Sequence, residues 1–344
     1  VIIRSSIENS DAFFLIEGSV EIRHSFDQRQ QYNVDTADQA LHVYLPDEAA
    51  VKVRALEECR ILAIDKEQLD SLLVVEKDYT IHYLDEGPQN AEPVLLMHGE
   101  PTWSYLYRHM IPLFTQAGHR VLAPDLPGFG RSDKPANRKD YTYQRHVDWM
   151  GSVLRQLDLH RITLVCQDWG GLLGLTLPVD DDFKPRLDRL LVMNTGLGLG
   201  RGMTDGFKAW KQYAMSTPDL PIGSLIARGT PHLTEAEIAA YDAPYPAPEY
   251  KAGAQIFPAL VPVEPDMEGV DVSVQAADYW RNEFTGKSFM AIGAADPVLG
   301  TEPMQALRKN INGCPEPMII EDGGHFVQEW GEEIAQAALA SFKG

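Results

Sequence analysis

The sequence predicts an α/β protein with a mostly parallel sheet flanked by helices, one helical insertion, and a smaller β-rich segment in front. Three observations predict it. From residue 76 onward, short β-branched runs alternate with helical apolar spacing, the signature of βαβ units. Between about 196 and 276 the alternation stops in a stretch rich in Pro, Gly and Tyr. Residues 1–75 alternate apolar and polar residues at strand spacing instead. The expected organisation is therefore a segment at 1–75 and a larger domain at 76–344, with a lid-like cap at about 196–276.

Element by element, β-branched and aliphatic runs place strands at 80–84, 93–97, 120–124, 161–166, 189–194, 288–293 and 317–321. Apolar residues at helical spacing place helices at 105–117, 144–157, 170–177, 301–310 and 328–342. The insertion reads as short helices with no strand. In the first segment, DAFFLIEGSVEIRH and VKVRALEECRILAIDKEQLDSLL alternate in strand fashion and then turn helical; they resemble part of a cyclic-nucleotide-binding β-roll, which implies a turn at Glu17-Gly18-Ser19-Val20 and a helix at 66–73.

Composition narrows the classes. The chain has 344 residues, 44% hydrophobic and 23% charged, enough apolar material for a large core. Its formal charge of −20 and lack of a basic patch oppose nucleic-acid or anionic-membrane binding. The apolar runs fall far short of the ~20 residues of a spanning helix. Cys59, Cys166 and Cys314 are isolated and read as reduced thiols of a cytoplasmic protein. The opening VIIRSSIENS has no Met and no basic region leading into an apolar stretch, as expected of a fragment or processed chain.

The most informative stretch is LVCQDWGGLL at 164–173. A strand ends in a sharp turn at Asp168 and a helix follows at once, the layout of a nucleophile elbow, with a carboxylate where serine is usual. Serine suits acyl carbons, whereas an ionised Asp can displace a leaving group at a saturated carbon and remain as an alkyl ester. Taken alone, Asp168 also fits a helix N-cap. Its context argues for chemistry. Asp296 and His325 each stand just past a strand's carboxyl end, in the chain order nucleophile, acid, histidine. In that arrangement His325 activates water and Asp296 fixes its tautomer. Upstream, the turn His98-Gly99-Glu100-Pro101 stands where this architecture supplies an oxyanion-hole N–H, making the backbone N–H groups of Glu100 and Trp169 the expected pair.

Together HGEPTWSYLYR, DLPGFGRSDKP, CQDWGG, AIGAADPVLG and GGHFVQEWGEEIA resemble the haloalkane dehalogenases of the α/β-hydrolase superfamily, more narrowly subfamily I, over about residues 77–344. The resemblance implies an α/β-hydrolase core with a helical cap and hydrolysis of haloalkanes to alcohol, halide and proton through an ester on Asp168. It implies a halide site formed by the indole N–H groups of Trp169 and Trp210, and an apolar pocket shaped by Phe207, Pro258, Leu172 and Val298. Trp103, Trp149, Trp280 and Trp330 are expected to pack. The implied partners are a small halogenated alkane, water and halide, with no metal and no organic cofactor. Nothing in the sequence sets the oligomeric state.

Two other readings compete. An epoxide hydrolase of the same fold also uses Asp and His but activates the epoxide oxygen with cap tyrosines, for which Tyr213, Tyr241, Tyr245 and Tyr250 are available. The second is a non-catalytic cyclic-nucleotide sensor, because residues 1–75 resemble part of a cyclic-nucleotide-binding β-roll. Where that family carries its phosphate cassette, near 40–52, this chain has ALHVYLPDEAAVK, and the early strands are missing. The segment therefore reads as a degenerate or structural appendage.

Overall fold

The computed structural model describes residues 79–343 in full and, before them, the backbone of seven strands. The chain divides into two compact units, Val1–Leu73 and Val74–Gly344.

The first unit is antiparallel throughout. Its strands are β1 (Ile2–Arg4), β2 (Asp11–Arg23), β3 (Arg29–Val34), β4 (Leu41–Tyr44), β5 (Lys52–Ala55) and β6 (Arg60–Asp65). The central strand β2 pairs with β3 and β5 through its second half and with β4 and β6 through its first. The turn expected at Glu17–Val20 is absent: these residues lie inside β2. The register slips between Leu15 and Glu17, so the strand changes partners without reversing direction. Residues 66–72 of the expected helix lie outside the described residues, and its last residue, Leu73, opens β7 (Leu73–Glu76).

In the second unit β7 edges an eight-stranded sheet whose other members are β8 (Tyr79–Glu86), β9 (Pro93–Met97), β10 (Arg120–Pro124), β11 (Ile162–Gln167), β12 (Leu187–Met193), β13 (Lys287–Gly293) and β14 (Met318–Ile320). The order is β14-β13-β12-β11-β9-β10-β8-β7. From β10 to β14 every neighbouring pair is parallel, while β8 runs antiparallel to β10. Successive residues of the central strands enter opposite cores. Leu95, Met97, Leu164 and Cys166 belong to one and Val94, Leu96 and Val165 to the other. Burial on both faces explains why these strands are continuous apolar runs.

Helices cover both faces: α1 (Ile111–Gln116), α2 (Tyr143–Leu157) and α3 (Trp169–Gly174) come first. The single helix expected at 105–117 is instead a 3-10 turn, Ser104–Tyr107, followed by α1, which restarts with Pro112 in its first turn, where the missing N–H costs nothing. Between β12 and β13 the chain leaves the sheet as α4 (Asp205–Ser216), α5 (Ile222–Gly229), α6 (Glu235–Asp242), α7 (Ala252–Leu260) and α8 (Val270–Asn282). Thr234 and Glu237 close a reciprocal capping box on α6. The sheet then resumes, with α9 (Thr301–Arg308) and α10 (Gly331–Lys343) completing the layers. Among the described residues no helix is long and apolar enough to cross a membrane.

The strand order reverses at β9: the next strand in sequence, β10, lies on one side of it and β11 on the other. Such a switch point opens a crevice at the carboxyl ends of the strands. The turns leaving β9, β11, β12, β13 and β14 all contribute residues to one cavity there.

Candidate active site

Asp168 stands between β11 and α3 with φ 49° and ψ −124°, a backbone region that side-chain-bearing residues rarely occupy. The turn tightens because its neighbours have no side chains. A Cβ on Gly170 would fall inside the carbonyl oxygen of Met97, and one on Gly99 would overlap the Asp168 carboxyl. Gly170→Ala is expected to cost about 3 kcal/mol, the upper end for overpacking. Thermal unfolding checks it, and an unchanged Tm would show that the elbow can relax.

The turn after β9 is pinned by His98. Its Nε2 accepts the backbone N–H of Leu126 at 2.9 Å, so Nδ1 carries the proton and donates to the Gly99 carbonyl, also at 2.9 Å. Asp125, fully buried, holds the neighbouring loop by accepting from the N–H groups of Ser104 (2.8 Å) and Arg131 (3.0 Å) and meeting His82 Nδ1 at 2.9 Å. This scaffold aims the Glu100 N–H at Asp168 Oδ1, 2.8 Å away. The other oxygen, Oδ2, faces His325 Nε2 at 3.5 Å. The two carboxylate oxygens thus have different surroundings: one is held by a backbone donor, and the other looks toward the imidazole.

His325 Nδ1 lies 2.7 Å from Asp296 Oδ2. Asp296 is itself over-determined. Its Oδ1 accepts from the N–H groups of Val298 (2.8 Å) and Leu299 (3.1 Å), and its Oδ2 also accepts from the Asn194 amide at 3.0 Å. Burial raises the Asp296 carboxyl, but the His325 charge and these hydrogen bonds outweigh it and hold the group below the usual carboxylate range. For His325, burial favours the neutral ring, yet the charges and hydrogen bonds of Asp296 and Asp168 prevail and lift it well above its ordinary value. Glu100 is raised too: burial first, then the Asp168 charge, push its carboxyl well above the usual carboxylate range. Trp210 lines the same cavity as that carboxyl.

The cavity, about 550 Å³, is lined by Glu100, Asp168, Trp169, Asp296 and His325, and by all of Leu172, Phe207, Trp210, Pro258 and Val298. Trp169 is buried, its ring 4.4 Å from that of Phe257. Trp280, by contrast, is a core residue whose N–H donates to the Leu175 carbonyl at 2.7 Å. Trp149 is buried too, while Trp103 stacks on Tyr105 and Trp330 meets His232 edge-on. None of the four tyrosines weighed for oxygen activation lines the cavity. The hydroxyl of Tyr241 donates to Glu329 and that of Tyr245 to the Pro101 carbonyl, while Tyr213 and Tyr250 are exposed.

Several contributors are not marked in the sequence. Asn194 directly follows the strand before the insertion and clasps Gly293 through both N–H and carbonyl, at 2.8 and 3.0 Å, fixing the Asp296 turn. Arg108 makes a two-pronged pair with buried Glu329 (2.7 and 2.6 Å) and reaches Glu237 of α6 at 2.9 Å, tying the insertion to the turn after His325. Neither has a spacing signal, since both pairings span about 100 residues or more.

Comparison with known proteins agrees with this geometry. The α/β hydrolase fold family matches residues 92–332. A haloalkane dehalogenase of Psychrobacter cryohalolentis is 48% identical over 266 residues, covering 76% of this chain and 86% of the relative. One from Mycolicibacterium paratuberculosis is 43% identical over 267 residues, with coverage of 76% and 86%. Among solved structures, the tetrameric haloalkane dehalogenase DpaA from Paraglaciecola agarilytica NO2 is 47% identical, with a TM-score of 0.75 and coverage of 77% of this chain and 88% of that one. The haloalkane dehalogenase DbeA from Bradyrhizobium elkani, 22% identical with a TM-score of 0.67 and coverage of 79% and 97%, shares the fold. With a cavity centred on an elbow aspartate and relatives at this identity over most of its length, the chain belongs to the haloalkane dehalogenases, hydrolases that act on carbon–halide bonds.

Proposed function

We propose that Asp168 attacks the halogen-bearing carbon of a small haloalkane in line with the leaving group and becomes an alkyl ester, which water then hydrolyses. The carrying observation is the split environment of its carboxylate: Oδ1 on the Glu100 N–H, Oδ2 on the cavity side toward His325. Oδ2 is the attacking oxygen and Oδ1 becomes the ester carbonyl. Water, losing a proton to His325 Nε2, attacks the ester carbon, and negative charge gathers on Oδ1, where the N–H groups of Glu100 and Trp169 receive it. The C–O bond to the enzyme carboxyl breaks at the acyl side. Alcohol leaves, and Asp168 carries one oxygen from water.

The departing halide is received by the indole N–H groups of Trp169 and Trp210, which donate and offer no lone pair in return. This pairing of two tryptophans is the subfamily I pattern, and Leu172, Phe207, Pro258 and Val298 supply the apolar wall. A hydrogen bond to a charged group contributes about 1.5–3 kcal/mol. Trp210→Phe should therefore weaken bromide binding by roughly tenfold or more, read as a higher Ki for bromide as product inhibitor. An unchanged Ki would remove Trp210 from the halide site.

The test of the whole reading is bromide release from 1,2-dibromoethane, with an epoxide run alongside. Bromide without ring opening supports it; ring opening without bromide would move the site to epoxide chemistry. We read residues 76–344 as the catalytic domain with 196–276 as its cap, and residues 1–75 as an appendage resembling part of a cyclic-nucleotide-binding β-roll. Cys166 and Cys314 are free thiols, which favours a reducing, cytoplasmic setting.

A further inference from the structure

A chain of buried amides behind His325 has no place in the steps above. Gln167, the residue before Asp168, is wholly buried. Its amide nitrogen lies 3.0 Å from the backbone carbonyl oxygen of His325 and 3.1 Å from His325 Nε2. A carbonyl only accepts, so this contact establishes which end of the side chain is the donor. The opposite end, Oε1, accepts from the amide of Gln328 at 3.3 Å. Gln328 is buried as well and also meets the Tyr107 hydroxyl at 3.5 Å, which donates to the Met97 carbonyl at 2.8 Å. Both ends of Gln167 are therefore held, and its NH2 cannot turn away from the imidazole without breaking buried bonds.

We infer that Gln167 is a positioning residue that opposes protonation of His325 at Nε2 and so favours the neutral tautomer with Nδ1–H on Asp296. This rests on His325 being the base of ester hydrolysis. The groups facing the ring are Asp296 on Nδ1, Asp168 Oδ2 on Nε2, and the buried Glu100 carboxyl, which lines the same cavity. Two carboxylates on one imidazole favour a proton on both nitrogens. That state pairs His325 with Asp168, blunts the nucleophile and leaves no base. An amide N–H stabilises only the bare Nε2, because against a protonated Nε2 two donors would confront each other. Gln167 thus opposes the pull of the two acids, and Gln328 keeps it oriented.

The experiment is rapid-quench kinetics with 1,2-dibromoethane across pH, following ester formation and ester hydrolysis separately, in wild type and Gln167→Met. The expected result is an acid limb of ester hydrolysis moved up by about one pH unit, the effect of one hydrogen bond. Gln167→Glu, whose carboxylate would accept from Nε2–H, should move it further the same way. Gln328→Met, which frees the anchor and leaves Gln167 in place, should give a smaller shift and serves if the Gln167 variants do not fold. A limb that stays put in folded Gln167→Met or Gln328→Met overturns the inference, as does equal slowing of both steps without a shift. Failure of the underlying reading looks different, because His325→Gln would then accumulate no ester.

Discussion

Asp168→Ala is expected to lose sustained halide release altogether, with kcat falling on the order of 10⁶, the scale of removing a covalent nucleophile. The loss is this large because nothing else in the cavity can take its place. Burial disfavours the charged form of the Glu100 carboxyl, and Asp296 has both oxygens committed to His325, Asn194, Val298 and Leu299. The backbone supports the assignment from another direction. A non-glycine residue at φ 49° is strained, and Gly99 and Gly170 are kept bare so that the carboxylate can stand there. Alanine preserves the elbow and removes only the carboxylate, so the folded variant is the informative one. Halide electrodes or ion chromatography over many enzyme equivalents would read it. Multiple turnovers by folded Asp168→Ala would sink the proposed chemistry.

His325→Gln should instead separate the two halves of the reaction. Ester formation needs only Asp168 and the halide donors, so one equivalent of halide per active site should appear in a burst and then stop. Mass spectrometry should find the alkyl group on the peptide carrying Asp168. A variant that turned over normally, or that gave no burst, would remove His325 from ester hydrolysis. The same geometry sets the pH dependence. In the free site Asp168 supports the charged imidazole, together with Asp296. On the proposed mechanism alkylation erases the Asp168 charge, so the pKa of His325 should fall as the ester forms and the ring should become a base when one is needed. Neutral His325 is the active form. Ester hydrolysis should therefore be lost as pH falls through the lowered value, while ester formation, which needs no base, should not share that limb. Identical acid limbs for the two steps would contradict this coupling.

Much of this was legible along the chain because it is local. The alternation of strands and helices follows from side-chain period, and strands buried on both faces announce themselves as apolar runs at 93–97 and 162–167. The elbow is legible for the same reason: Asp168 with Gly170 and Gly171 is a turn and its candidate nucleophile within four residues. Asp296 and His325 could be ordered by chain position, since each follows a strand whose end is visible in sequence. Boundaries were less secure where local signals conflict. Pro112 splits one apolar periodicity into a 3-10 turn and a helix, and Gly18 lies inside a strand that changes partners rather than turning.

What the sequence determined by itself was the fold class, the place of each catalytic candidate at a strand's end, and the residue types of an Asp-based displacement. Only the tertiary structure decided how those residues share protons. The Asn194 clasp beneath Asp296, the Arg108 link between Glu329 and Glu237, and the Gln328–Gln167–His325 contacts join segments distant in the chain. The reason is physical. Apolar burial imposes a period that any stretch of sequence displays, whereas a buried polar group needs one partner at one distance and angle, and that partner can come from anywhere in the chain.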